Sequence, residues 1–120
     1  MDDRDTIHHS DLVVEEVREN PPGRDDRHLD REYVTFENAG TDALTLSGWA
    51  VENEGGETFT FPEDTVLAPG DRITLHSGSG ENTESDVFWG ADHPLWRNAG
   101  DTVTVRDADG VVRIRETYNE

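Results

Sequence analysis

The sequence predicts an all-β protein, a sandwich or a barrel built from several short strands. Apolar and polar residues alternate along many segments, which is the pattern of strands that bury one face. Gly or Pro interrupts the chain about every eight to twelve residues, a spacing typical of turns between short strands. No segment keeps the 3.6-residue apolar period of an amphipathic helix.

The segment of residues 33–51 is central to this prediction. Val34 and Phe36 alternate with polar neighbours, which predicts a half-buried strand. Asn38-Ala39-Gly40 then supplies turn residues, because Asn and Gly tolerate positive φ. A strand over residues 44–51 returns, so we expect a hairpin here. Two strands alone are not stable in water, and a facing sheet must cover them.

Further segments have the same strand pattern. They are residues 12–17, 58–61, 72–76, 87–89, 102–106 and 111–118. The residues that we expect in the core are Val34, Phe36, Leu46, Trp49, Phe59, Phe61, Ile73, Leu75, Val103 and Val105. Residues 1–10 have no apolar period, and we expect them to form a disordered leader before a domain at residues 11–118.

The composition is strongly acidic and contains no Lys. There are 28 Asp and Glu residues against 10 basic residues, all Arg, for a formal net charge of −18. Self-repulsion at this density opposes folding unless salt screens it, and the Debye length falls to about 3 Å at 1 M. The acids are interleaved with apolar residues, which favours a salt-loving archaeal protein over a disordered acidic tail.

The sequence also excludes several classes of protein. The absence of Cys excludes disulfides and thiolate metal sites. No apolar run approaches the ~20 residues that span a bilayer, and the acidic start does not resemble a signal peptide. We therefore expect a monomeric cytoplasmic protein that binds no membrane.

Taken in order, the sequence landmarks resemble the lamin tail domain, an immunoglobulin-like β-sandwich family, over about residues 11–118. The residues that carry the resemblance are Glu16-Val17, Asn20-Pro21-Pro22-Gly23, residues 32–40, residues 44–49, Phe59-Thr60-Phe61-Pro62, residues 67–71, residues 96–103 and Asp107-Ala108-Asp109-Gly110. The resemblance implies an immunoglobulin-like sandwich of about seven to nine short, mainly antiparallel strands.

The resemblance also implies a binding or tethering module without enzymatic activity. In prokaryotes the family is often attached to nucleases, hydrolases or cell-surface proteins, and some lamin tails are associated with DNA through basic surfaces. The scattered Arg residues of this chain depart from such a surface.

No catalytic motif is present. Ser77, Ser79, His76 and His93 are candidate reactive groups, but no Gly-x-Ser-x-Gly motif surrounds either serine. The Gly-rich loop that contains them lacks the Lys of a phosphate-binding P-loop. We therefore expect no enzyme activity and no cofactor.

The candidate metal ligands are Asp107 and Asp109, whose carboxylates suit Ca²⁺. Their spacing does not match an EF-hand, and Asp-x-Asp-Gly between alternating segments predicts a hairpin turn instead. A second acidic loop contains Asp25, Asp26 and Asp30. The histidines lack the spacing of a zinc site. We expect no bound metal.

Nucleic acid binding would require a cluster of cations. Arg72, Arg97, Arg106, Arg113 and Arg115 could share one surface if the last strands lie together. Because acids surround them, we expect cross-strand ion pairs instead, each contributing about 0.2–1 kcal/mol.

Protein binding is the remaining class. Phe88, Trp89, Leu95 and Trp96 flank an irregular segment, where binding residues often lie. They form the candidate partner surface, although they could instead cover one end of the core. The sequence therefore predicts a non-enzymatic interaction module that binds an unidentified protein at high salt. The alternative is an accessory domain that binds Ca²⁺ or nucleic acid in support of a separate enzyme, such as a nuclease.

Overall fold

A computed structural model describes residues 6–8, 11–18, 32–91, 95–96 and 100–119. These residues form eleven strands, and none of them is helical. The strands are β1 Thr6–His8, β2 Leu12–Arg18, β3 Tyr33–Asn38, β4 Leu44–Thr45, β5 Ala50–Glu52, β6 Thr58–Thr60, β7 Val66–Leu67, β8 Arg72–His76, β9 Asp86–Phe88, β10 Gly100–Arg106 and β11 Val112–Asn119. No helix in these ranges is long and apolar enough to cross a membrane.

The strands form two main sheets and one ribbon. The five-stranded sheet has the order β1-β11-β10-β5-β6, and the four-stranded sheet has the order β2-β3-β8-β9. The ribbon pairs β4 with β7. Every described pair is antiparallel except β8 with β9. The predicted fold class, an immunoglobulin-like β-sandwich, is confirmed.

The core lies between the inner faces of the two main sheets. All ten predicted core residues belong to it, and none is more than 9% exposed. The other members of this cluster are Leu12, Val51, Leu67, Val87, Leu95, Trp96 and Ile114. Burying an apolar side chain of this size contributes about 1.5–3 kcal/mol, so the cluster supplies most of the favourable free energy of folding.

The predicted hairpin of residues 33–51 is wrong. Strand β3 pairs with β2 and β8, whereas β4 pairs with β7. The end of β3 is already bonded to the turn before β8, because the Asn38 N–H donates to the Asp71 carbonyl at 3.0 Å and the Gly70 N–H donates to the Asn38 carbonyl at 2.8 Å. The chain therefore leaves the four-stranded sheet after Asn38 and crosses to the ribbon.

The Asn38 side chain holds this crossing. It is fully buried, and its Nδ2 donates to the carbonyls of Asp42 at 2.9 Å and Leu67 at 2.8 Å. Its Oδ1 accepts the Gly40 N–H at 2.9 Å. Neither Asn38 nor Gly40 has the positive φ expected from the sequence. Gly40 is needed for space, because a Cβ there would collide with the Asp11 side chain.

A turn at Gly48 divides the predicted strand over residues 44–51. Gly48 has a φ of +79°, a region that favours Gly, and the Trp49 N–H donates to the Leu46 carbonyl at 2.9 Å. A Cβ on Gly48 would also lie 3.4 Å from the Ala108 Cβ. The division yields β4 and β5, which enter different sheets and raise the strand count above the predicted seven to nine.

The expected disordered leader, residues 1–10, contains a strand at Thr6–His8. This strand, β1, pairs with β11, with Ile7 opposite Arg115. The pairing gives β11 hydrogen-bond partners on the side away from β10, where its backbone would otherwise face water. Residues 1–5, 9 and 10 lie outside the described residues. The domain boundary at residue 11 stays a prediction.

We expect Asn38→Asp to destabilise the fold by about 3 kcal/mol or more. The new carboxylate would be buried facing the two carbonyls that Nδ2 now bonds. The buried Leu67 carbonyl would lose its donor, which costs about 1–3 kcal/mol, and the buried charge beside carbonyl oxygens adds a further cost. The measurement is the free energy of unfolding from urea denaturation in KCl.

The matched control for this variant is Asn82→Asp. The Asn82 Oδ1 accepts the Phe88 N–H at 3.0 Å in an exposed setting, a bond that a carboxylate also makes. We expect a change within about 0.5 kcal/mol. Equal losses for the two variants would show that the donors of Asn38 do not stabilise the crossing.

Candidate interaction surface

An aromatic row crosses the outer face of the four-stranded sheet. Strand alternation buries Val34 and Leu75 and turns Tyr33 and His76 outward. Tyr33 pairs directly with His76, and the parallel register of β8 with β9 places Phe88 beside His76. The three residues Tyr33, His76 and Phe88 are called the aromatic row below.

The rings of the row contact one another in sequence. The ring centroids of Tyr33 and His76 lie 6.1 Å apart with the planes tilted by 57°. Those of His76 and Phe88 lie 4.5 Å apart with the planes nearly parallel, at 14°. All three residues are half-buried, so the row presents part of each side chain to solvent.

A carboxylate fixes the orientation of the middle ring. The His76 Nε2–H donates to the Asp86 Oδ1 at 2.8 Å. The Asp86 Oδ2 also accepts the Ser85 hydroxyl at 3.1 Å. These bonds stabilise the ionised carboxylate, chiefly the one from His76, and hold the pKa of Asp86 below its ordinary value.

The loop after β8 supports the far end of the row. The Asn82 Oδ1 accepts the Phe88 N–H, and the Thr83 N–H donates to the Asp86 carbonyl at 2.8 Å. Gly80 lies against the Phe88 ring, where a Cβ would come within 2.8 Å of three ring atoms. The loop therefore covers the free edge of β9 and keeps the Phe88 ring upright beside His76.

The predicted partner surface is divided by the structure. Phe88 lies in the aromatic row, but Leu95 and Trp96 are only 3% and 1% exposed and cannot present a surface to a partner. Trp89 is half-buried and packs edge-on against Trp96, with centroids 6.2 Å apart, and against Phe59 at 5.9 Å. Trp89, Leu95 and Trp96 thus cover one end of the core, the other arrangement that the sequence left open.

A buried carboxylate anchors this end of the core. Glu32 is fully buried, and its carboxylate accepts the backbone N–H of Leu95 at 2.8 Å and of Trp96 at 3.3 Å. Removal from water raises its pKa, and the Ser77 hydroxyl and the two N–H groups oppose this without cancelling it. The sequence analysis gave Glu32 no role, because nothing local shows that a residue before a strand is buried.

The candidate metal ligand Asp107 is occupied by its own turn. Its Oδ1 accepts the N–H groups of Asp109 at 2.9 Å and Val111 at 3.0 Å, and its Oδ2 accepts the Arg113 Nε–H at 2.9 Å. These contacts, with Val111 first, lower the pKa of Asp107. Asp109 is exposed at the tip of the same turn. The second acidic loop, with Asp25, Asp26 and Asp30, lies outside the described residues.

No group of three or more His, Asp or Glu side chains within the described ranges could hold a metal ion. The candidate catalytic residues do not converge either. His76 bonds Asp86 on the outer face, whereas the next residue, Ser77, is 1% exposed on the inner side. Ser79 is exposed in the loop, and His93 lies outside the described residues.

Ion pairs were expected for five arginines, and the structure shows them for three; Arg115 has no ion pair within the described residues, so the expectation is wrong there. Arg72 pairs with Glu15 on the four-stranded sheet. Arg106 pairs with Glu52 at 3.4 Å, and Arg113 pairs with Asp107. Arg97 lies outside the described residues.

Sequence reasoning missed Tyr33 and His76 as surface residues. Both occupy outward positions of predicted strands, which was the available signal. Their alignment with Phe88 depends on the register of three strands, and the parallel pairing of β8 with β9 has no sequence signature in a chain of short turns.

The fold is a β-sandwich with a row of half-buried aromatic rings on one outer face, and no catalytic centre is found among the described residues. The family model of the lamin tail domain matches residues 6–120. The chain belongs to the lamin tail domain family, a family of non-enzymatic immunoglobulin-like domains. A comparison with curated proteins found no match.

The Asp86 contacts predict a specific dependence of stability on pH. Because the folded-state pKa of Asp86 is lowered, its contribution is present above the unfolded value of 3.8 and is lost as the pH falls through the folded value. We expect the thermal midpoint of the wild type to fall more steeply between about pH 5 and pH 3 than that of Asp86→Asn.

The control for this titration is Asp109→Asn, which removes an exposed carboxyl and should leave the wild-type slope nearly unchanged. Thermal unfolding in KCl at constant ionic strength checks both variants. Parallel curves for wild type and Asp86→Asn would show that the bond to His76 does not stabilise the folded state.

Proposed function

We propose that this lamin tail domain binds a protein partner through the aromatic row, with no enzymatic activity of its own. The observation that carries the proposal is the alignment of three half-exposed rings across β3, β8 and β9. Aromatic side chains are enriched at the centres of protein interfaces, where they bury large areas with few rotatable bonds. The row supplies such a centre on an outer face that, apart from Val13, otherwise carries Thr and charged residues.

Charge indicates the chemistry of the partner. Glu16 and Glu37 lie on the same face as the row, opposite Thr35 and Arg72, and Asp86 lies beside His76; exposed Arg18, opposite Tyr33, is a cation on this face. The Arg72 charge is offset by Glu15. With a net charge of −18, the domain favours a basic segment of another protein. An Arg of that segment over the Tyr33 ring would add about 0.5–1 kcal/mol.

The partner surface is tested by crosslinking from defined positions. A photo-reactive residue replaces Tyr33 in one sample and Thr104, on the outer face of the other sheet, in a second. We expect crosslinks to one protein from position 33 only, in extract of the source organism at its native salt concentration. Crosslinks from position 104 alone would contradict the assignment.

The energetic contribution of the row is tested with the crosslinked protein in purified form. We expect Tyr33→Ser to weaken its binding about tenfold or more, as for an aromatic residue at the centre of an interface, and Thr104→Ala to leave it unchanged. Binding that is unaffected by Tyr33→Ser, or a crosslinked segment without basic residues, would exclude this surface or this partner chemistry.

We also infer that the surface is adapted to high salt. The support is the composition, with 28 acidic residues, 10 Arg and no Lys. Exposed acids such as Glu63 and Glu84 have no hydrogen bond or ion pair within the described ranges. Their repulsion decreases when salt shortens the Debye length from about 10 Å at 0.1 M to about 3 Å at 1 M.

We expect the thermal midpoint to rise by several degrees between 0.1 M and 2 M KCl. Repulsion between the acids is stronger in the compact folded state than in the unfolded chain, so screening stabilises the folded state more. The double variant Glu63→Gln/Glu84→Gln should show a smaller rise. Sucrose at matched osmolality is the control, because it stabilises proteins by being excluded from their surface and does not screen charges. A midpoint independent of KCl would contradict the proposed adaptation.

A further inference from the structure

A shallow concavity of about 330 Å³ lies on the outer face of the five-stranded sheet, away from the aromatic row. Its lining residues are Glu54, Thr102, Thr104, Arg106, Val112 and Arg115. Two of the six are cations and one is an acid, whereas the whole chain has 28 acids and 10 cations. Glu52, the ion-pair partner of Arg106, lies opposite Thr104, so the concavity and its border have two cations and two acids and are much less acidic than the chain as a whole.

A β-bulge places the two arginines on one face. Thr104 lies opposite Arg115, but the register shifts after Val105, so that Arg106 lies opposite Val112 rather than Arg113. Arg113 is held by Asp107 in the turn. Arg106 and Arg115 are therefore diagonal neighbours across β10 and β11, and Thr104 lies next to both, opposite Arg115 and two residues before Arg106.

The two guanidinium groups differ in how they are held. The Arg106 Nη1 donates to the Gly110 carbonyl at 3.2 Å, and its Nε lies 3.4 Å from the Glu52 carboxylate, so the group has a defined orientation. Arg115 is exposed and has no hydrogen bond or ion pair within the described ranges. It can therefore direct its N–H donors toward a ligand without giving up an internal contact.

Hydroxyl groups complete the donor set. The Thr102 hydroxyl is 3.0 Å from that of Thr117, which keeps it within the sheet face. Thr104 lies opposite Arg115 and two residues before Arg106, and its hydroxyl has no partner within the described residues. One hydroxyl and two guanidinium groups therefore line the same concave surface, and these are donors of the kind that bind a tetrahedral oxyanion.

We propose that this concavity binds a small tetrahedral oxyanion such as phosphate or sulfate, through Arg106, Arg115 and Thr104. Long-range repulsion from the acidic surface is screened at high ionic strength, so local donors determine binding there. Glu54 lies at the rim, and Glu52 offsets part of the Arg106 charge, which limits the site to weak, millimolar-range binding. The proposal is independent of the aromatic row, which lies on the other sheet.

The test is an NMR titration of the full chain with labelled backbone and Arg Nε–H groups. Potassium phosphate replaces KCl at constant ionic strength, and sulfate is titrated in parallel. We expect saturable shifts at Thr104, Arg106 and Arg115 with both oxyanions. Shifts that do not saturate, or that chloride reproduces, would mean an adventitious ion only and would overturn the proposal.

Matched variants separate the site from general charge. We expect Arg115→Gln to weaken phosphate binding about tenfold, the effect of losing one charge-assisted hydrogen bond, and Arg72→Gln, on the other sheet, to leave it unchanged. Arg115→Lys keeps the charge but not the planar fork, so its affinity should be intermediate. Equal affinity in all variants would overturn the assignment.

A duplex oligonucleotide distinguishes free oxyanions from phosphate groups of nucleic acid. The duplex is added so that its total phosphate concentration equals that of the inorganic phosphate titration. We expect no chemical-shift changes at Thr104 and Arg115 with the duplex. Shifts with the duplex but not with inorganic phosphate would replace the small-oxyanion site with a nucleic acid surface. If Arg115→Gln does not give a dispersed spectrum, Thr104→Ala takes its place, with the same expected loss of affinity.

Discussion

The pairing of β3 with β8 is the constraint on which the rest of this structure depends. It joins the first and second halves of the chain in one sheet and places Tyr33 opposite His76. The buried Asn38 closes the end of this pair: its backbone bonds the turn before β8, and its side chain donates to Asp42, in the segment that follows β3, and to Leu67 in β7. Without this pairing the aromatic row would not exist, and β9 would have no parallel neighbour to place Phe88.

The two outer faces of the sandwich differ in chemistry although their inner faces share one core. The four-stranded sheet presents a row of aromatic rings, whereas the five-stranded sheet presents hydroxyls and two arginines together with Glu52 and Glu54. The difference follows from strand alternation, because outward positions are not needed for the core and can vary. A small β-sandwich can therefore present two chemically distinct faces without changing its core.

Much of the fold was predictable from the sequence, but the candidate surface was not. Alternation located the strand of residues 72–76 and all ten core residues, because burial of one face imposes a period of two. The hairpin of residues 33–51 was wrong because a turn sequence does not show which strand accepts the next hydrogen bond. The predicted partner surface, which grouped Phe88 with Trp96, was divided by the structure. In an irregular segment, residues close in sequence can point to the outer face, as Phe88 does, or into the core, as Trp96 does.

The sequence by itself determined the all-β class, ten of the seventeen core residues and the acidic composition, since these depend on local composition and period. The tertiary structure alone decided which outward residues meet: the aromatic row, the diagonal pair of arginines and the burial of Glu32. The physical reason is that strand register and sheet order are set by long-range hydrogen bonds and core packing. The residues that flank a position in the sequence do not determine those long-range contacts.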